Sequence, residues 1–167
     1  MRSALFLCVA LSISALAPLS RAAETVLRVS YDGRTAVFSA ADLAAMHHIT
    51  VKALDGHDRK VHEYTGIAAH DVLAQVGVPS GEKMRGPALR LIVIARAKDG
   101  YEVALSLAEF DEMFSDRQIL LVDQEDGLPL PQKVGPLHLL LPGDKRTARW
   151  ARMVNSLEVV QVGESRK

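Results

Sequence analysis

The sequence is almost devoid of cysteine: among its 167 residues the one thiol is Cys8, inside an apolar run near the N-terminus. The rest of the chain can form no disulfide and offers no thiolate to a metal. It also lacks an excess of charge of either sign, with 20 Lys and Arg against 20 Asp and Glu. Nucleic acid is thereby a poor partner, since neutralising phosphates takes a clustered basic surplus. G-x-S-x-G, G-x-x-x-x-G-K, G-x-G-x-x-G and C-x-x-C are all missing, which removes the common hydrolase, nucleotide and dithiol readings. No repeat, low-complexity tract or long linker interrupts residues 24–163.

What is present begins with Arg2, an apolar stretch from Ala4 to Leu19 and small residues after it, the three-part layout of a secretory signal peptide. Cleavage after Ala22 places Ser20 and Ala22 at the two small-residue positions, so residues 1–22 are expected to be removed and residues 23–167 to form one exported domain, periplasmic or secreted. The rival, an uncleaved anchor, is weakened by Pro18 and by a run of roughly 16 residues where about 20 are needed. Leu5-Phe6-Leu7 ahead of Cys8 lacks the small residues that lipoprotein processing prefers. Removing residues 1–22 takes away Arg2 and Arg21 and no acid, leaving 18 basic against 20 acidic residues. About 145 residues suit one domain with one core.

Turn signals recur at short intervals and divide this domain into brief elements. Thr25–Tyr31 alternates like a half-buried strand and ends at Asp32-Gly33, so that Thr35–Phe38 can pair back. Ser39 with Asp42 caps a short helix to Met46, and His48–Leu54 returns to strand composition. A hairpin is expected around Asp55-Gly56, with residues 59–64 as its second arm. Thr65-Gly66 reads as a turn before a helix from Ile67 to Val76, which Gly77 closes. Leu89–Ala97 reads as a central strand covered on both faces, followed by a tight Lys98-Asp99-Gly100 turn into Tyr101–Leu105. Ser106 and Glu109 form an S-x-x-E pattern that predicts a helix to Phe114. Residues 118–124, 137–141 and 156–162 complete about eight strands and three helices, an α+β class with mixed β-sheets and short helices.

Four of the six histidines, His47, His48, His57 and His62, fall within one stretch. Imidazoles can hold zinc or copper, but this spacing matches no metal motif, and neighbours on a strand point to opposite faces. Solvated or hydrogen-bonded rings are the expectation. The segment Pro142-Gly143-Asp144-Lys145-Arg146-Thr147-Ala148-Arg149-Trp150 gathers three cations and a glycine behind an apolar strand. Backbone N–H groups at Gly143, with Lys145, Arg146 and Arg149, can cup a phosphate- or sulfate-like anion. The competing reading pairs Asp144 with a neighbouring cation and uses Trp150 as a core anchor.

Four segments in order carry a family likeness. They are Tyr64-Thr65-Gly66-Ile67 with Asp71-Val72-Leu73 and Gly77-Val78; Ala97-Lys98-Asp99-Gly100-Tyr101 with Ser106-Leu107-Ala108-Glu109; Leu120–Asp123 with Asp126-Gly127-Leu128-Pro129-Leu130; and Gly135-Pro136-Leu137 through Leu141-Pro142-Gly143 to Arg149-Trp150. Over residues 60–160 they resemble the oxidoreductase molybdopterin-binding domain family, the fold of sulfite oxidase. The resemblance implies a shortened mixed α+β fold, a cleft lined by loops, molybdopterin as the family's cofactor, and the loop of Gly143, Lys145, Arg146 and Arg149 at the cofactor's phosphate end. It also implies a molybdenum-ligating cysteine on the strand matching His48–Leu54, and none is there.

Three functions therefore stand open. The first is a noncatalytic module, without cofactor, for a small anionic ligand or an envelope protein partner, with no nucleic acid and no stable membrane insertion after cleavage. The second is a molybdopterin-dependent oxidoreductase with atypical ligation, in which His47, Lys52, His57, Asp99 and Tyr101 are where substituted chemistry would lie. The third is an accessory or signalling subunit that docks through the Pro79–Pro87 loop or the Leu128–Pro131 edge.

Overall fold

The computed structural model describes residues 25–163, so the segment read as a signal peptide lies outside the described residues. Ten strands, two short α-helices and several 3₁₀ turns make up the described chain.

The first sheet is built from β1 (Thr25–Tyr31), β2 (Arg34–Ser39), β5 (Leu91–Ala97), β6 (Glu102–Ser106) and β10 (Val154–Gln161), in the order β2-β1-β10-β5-β6. Only β1 and β10 run parallel; the other pairs are antiparallel. The second sheet joins β3 (His48–Leu54), β4 (Val61–Ala68), β7 (Leu120–Glu125) and β8 (Leu128–Pro129), while β9 (His138–Leu140) shares the outer edge of β7. Sheets with one parallel pair and helices set at their ends are the α+β class expected from the element pattern.

Local chemistry accounts for the connections. Asp32-Gly33 and Asp126-Gly127 both take positive φ at their two central positions, the type I′ geometry that suits the twist of a tight hairpin. Helix α1 (Ala40–Ala44) starts where the Ser39 hydroxyl and the Asp42 carboxylate satisfy each other's backbone N–H. Helix α2 (Ala69–Ala74) has no side-chain cap; the Ala69 N–H instead donates to the Ile119 carbonyl, and Gly77 takes φ +74 after its last turn.

Four expectations are corrected. Thr65-Gly66 is not a turn: β4 runs through it to Ala68, because at Gly66 the backbone of β7 comes so close that a Cβ would collide with the Leu121 carbonyl and Val122 Cα. Ser106 and Glu109 start a 3₁₀ turn that ends at Phe110, since Asp111 turns away to accept the N–H groups of Gly81 and Met113. Strand β5 is not covered on both faces: Leu91, Val93, Ala95 and Ala97 are buried, whereas Ile92, Ile94 and Arg96 are half-exposed. The hairpin around Asp55-Gly56 forms between β3 and β4, but its second arm starts at Val61 instead of residue 59, because Arg59 takes the left-handed position of the turn.

The inward faces of both sheets feed one apolar cluster. Leu27, Val29, Val93 and Leu157 come from the first sheet, and Ile67, Leu121, Leu139 and Leu140 from the second, with Leu73 of α2 among them. Each such side chain contributes roughly 1.5–3 kcal/mol over leaving it in water. Where this core meets the ends of the strands, the connecting loops converge.

Candidate functional site

The closing loop after β9 is shaped by ion pairs. Asp144, with 9% of its side chain exposed, accepts two parallel hydrogen bonds from Arg149, at 2.9 Å from Nε and 2.8 Å from Nη2, and a third at 2.7 Å from Arg117. The Arg149 Nη1 reaches Glu109 at 3.2 Å, and the other Glu109 oxygen accepts the Ser106 N–H. The Arg149 hydrogen bonds hold the Asp144 carboxyl below the usual carboxylate range. Trp150 is buried and donates its indole N–H to the Leu141 carbonyl at 3.0 Å.

Of the residues expected to cup an anion, Gly143 takes φ +85 with open space where a Cβ would sit, and Lys145 and Arg146 are exposed. Among the described residues neither cation has an ion-pair partner. Arg149 differs: its donors are taken by Asp144 and Glu109. The fork and the carboxylate are matched in shape, which makes this pair a clamp across the loop.

Beside the loop lies a cleft of about 270 Å³, between the β3–β4 hairpin, the β5–β6 turn and the 147–152 segment. Asp55, Asp99, Tyr101, Thr147, Trp150 and Arg152 line it, with His138 of β9. The Tyr101 hydroxyl donates to the Ala148 carbonyl at 2.6 Å and straps one wall to the other. His138 is 6% exposed, and neither ring nitrogen has a hydrogen-bond partner. Its ring meets Tyr64 edge-on at 6.3 Å and Trp150 at 6.0 Å. Burial, aided by the charge of Arg152, pushes its pKa down to about 4; the charge of Asp55 opposes this, and the Trp150 carbonyl does so more weakly from outside hydrogen-bonding geometry. A larger groove of about 510 Å³ holds His47, His70, Asp71 and Arg117 around Phe110 and Ile119; its buried Asp111 is satisfied by backbone N–H groups.

The histidines are not gathered. His48 bonds the Met46 carbonyl at 2.9 Å and Asp123 at 3.1 Å, and His57 is exposed. His62 lies between Asp126 at 2.7 Å and Asp58 at 2.9 Å, and these two hydrogen bonds raise its pKa to about 9. His62, Glu125 and Asp126 bring ligand atoms within 4.8 Å of one another, and both His62 ring nitrogens are engaged by Asp126 and Asp58. Of the residues set aside for substituted chemistry, Asp99 and Tyr101 line the cleft, Lys52 pairs with Glu63 at 3.2 Å, and His47 belongs to the larger groove. His138, Asp55 and Arg152 were not singled out from the sequence. A lone imidazole inside the apolar run Leu137–Leu141 was the available signal.

No family model matches this sequence, and no curated protein matches it. Among solved structures the chain is similar to the sulfane dehydrogenase SoxCD from Paracoccus pantotrophus, with a TM-score of 0.62 and 18% identity over 83% of this chain. It spans 39% of the length of that chain. At this identity the likeness is one of fold, and it supports the sulfite-oxidase-like architecture that the sequence resemblance implies.

Molybdenum in that family's usual arrangement does not fit the residues present. The face of β3 turned to the core carries Ile49, Val51 and Ala53, none of which can ligate a metal, and the opposite face carries His48, Thr50, Lys52 and Leu54, with the His48 ring engaged by the Met46 carbonyl and Asp123. Thiolate softness is what that position requires.

Proposed function

We propose that this chain is an exported, noncatalytic binding module on a sulfite-oxidase-like fold, which receives a small anionic ligand where the loop 143–149 borders the cleft. One observation carries the reading: Asp144, the loop's own acid, is consumed by Arg149 and Arg117, so the positive charges of Lys145 and Arg146 are left uncompensated beside an open cleft. Arg152 adds a third cation on the cleft wall. The N–H of Gly143 and the exposed ammonium and guanidinium donors of Lys145 and Arg146 suit an oxyanion, and a fixed scaffold lowers the ordering cost of holding it. In this reading Arg149 holds the loop and Lys145 and Arg146 meet the ligand.

The test is titration of the purified domain with sulfate and with phosphate, read by calorimetry, alongside elemental and pterin analysis of protein isolated from a host that makes molybdopterin. Saturable binding that falls at least tenfold in the variant K145A/R146A supports the module. Stoichiometric pterin or molybdenum sinks it in favour of a cofactor-dependent oxidoreductase.

A further inference from the structure

The cleft behind the loop holds a group that an anion-binding reading alone leaves without a task. His138 is buried, polar, unpartnered at both nitrogens, and set in the wall of a cavity. Buried polar groups are nearly always hydrogen-bonded, and an unpartnered imidazole packed in a cavity wall is a group whose charge can respond to what enters the cavity. The charges of the wall matter as well. Asp55 and Asp99 stand against Arg152, a lining with one net negative charge. A bare anion entering from the Lys145–Arg146 side therefore meets opposition inside the cleft, in a place where burial strengthens every charge interaction.

We infer that the cleft takes its anion together with one proton from solvent, which binds to a ring nitrogen of His138, so that imidazolium and oxyanion enter the pocket as a pair. This rests on the proposed binding reading and adds its regulation. Protonation turns the ring's lone-pair nitrogen into a second donor and cancels the net charge of the lining. The groups facing the ring agree with such a coupling. Tyr64 of β4 presents an aromatic edge and a hydroxyl held protonated by burial. The Asp55 side chain already accepts one backbone N–H from His57, and the Asp99 side chain one from Tyr101, so each acid is held in place. Tyr101 is tied to Ala148, Arg152 repels a proton in the empty cleft, and β7 offers only the apolar Val122 opposite His138. Without ligand the ring is neutral at neutral pH. An oxyanion beside it adds negative charge, which favours the protonated ring.

The experiment uses sulfate, which stays fully ionised from pH 5 to 8, so any proton taken up belongs to the protein. Calorimetric titrations in two buffers of different ionisation enthalpy count that proton, and imidazole NMR of the same samples identifies which histidine gains it. The expected result is uptake approaching one proton per sulfate, affinity rising towards tenfold for each unit fall in pH, and a shift of the His138 resonances from neutral to charged on binding. H138Q, which cannot take up the proton, should bind sulfate more weakly than wild type at pH 5 and lose the slope. Sulfate binding with no uptake, or with uptake at another histidine, overturns this inference and leaves the binding module standing; this readout needs only the wild-type chain. No sulfate binding at any pH overturns both.

Discussion

Replacing Asp144 by Asn tests whether the loop is held by its ion pairs or merely decorated by them. The substitution keeps the shape but removes the charge that organises Arg149 and Arg117. Three charge-assisted bonds meet this carboxylate, and each is worth about 1.5–3 kcal/mol when well shielded. The Asp144 side chain is 9% exposed but those of its partners are 39% and 29% exposed, so water screens much of the attraction. Glu109 also remains to receive Arg149. A net loss of about 2 kcal/mol is the consequence, close to a 6–10 °C drop in Tm for a domain of this size. The sign with pH follows from the lowered pKa. The unfolded carboxyl has its ordinary value of 3.8 and the folded one lies below it, so the stabilisation is complete above that value and is lost as pH falls through the folded pKa. Urea midpoints of wild type and D144N should differ at pH 7 and converge on acidification. A double-mutant cycle with R149Q should give a coupling of about 1 kcal/mol or more. A loss below about 0.5 kcal/mol at pH 7, or a gap that does not narrow in acid, would refute the clamp.

G66A places a methyl group against the Leu121 carbonyl, where neither backbone can withdraw without opening the β4–β7 ladder; a loss of about 3 kcal/mol or failure to fold is expected in thermal melts, and a near-wild-type Tm would contradict the close approach. H62Q should destabilise most at pH 6 and least at pH 10, because a pKa raised from 6.5 to about 9 gives stability that is complete below the lower value and lost through the upper. Denaturant midpoints at pH 6, 8 and 10 measure it, and a gap independent of pH rules out the charged bridge. Y101F deletes the bond to Ala148 and should cost about 1 kcal/mol while weakening sulfate binding severalfold; no change in either quantity means the strap is idle.

Much of the fold is legible because its signals are local. The Asp32-Gly33 turn, the Ser39–Asp42 cap and Gly77 behind α2 each act within a few residues, and each appears where the chemistry puts it. What misleads is glycine. Gly66 reads as a turn residue because glycine permits one, whereas its use here is the absence of a side chain at a strand crossing, a fact that depends on a β7 more than fifty residues away. Strand β8 was missed for a similar reason: two residues pairing with Gln124 and Glu125 have no period to detect.

The site divides along the same line. The cation-rich loop is visible as a run of residue types, but which cation is free cannot be read from the run, because Asp144 chooses among Lys145, Arg146 and Arg149 only after Arg117 and Glu109 have been brought in from another segment. His138 is harder still. In the sequence it looks like a tolerated polar residue in an apolar strand, and the fold confirms the burial while withholding every partner. Desolvating an imidazole without a hydrogen bond costs on the order of 1–3 kcal/mol. A leucine in the run Leu137–Leu141 would bury without that cost and give up only the ring contacts with Tyr64 and Trp150. A residue that costs desolvation where it sits, in the wall of a cleft that also carries Arg152, is better explained by what enters that cleft than by the core itself.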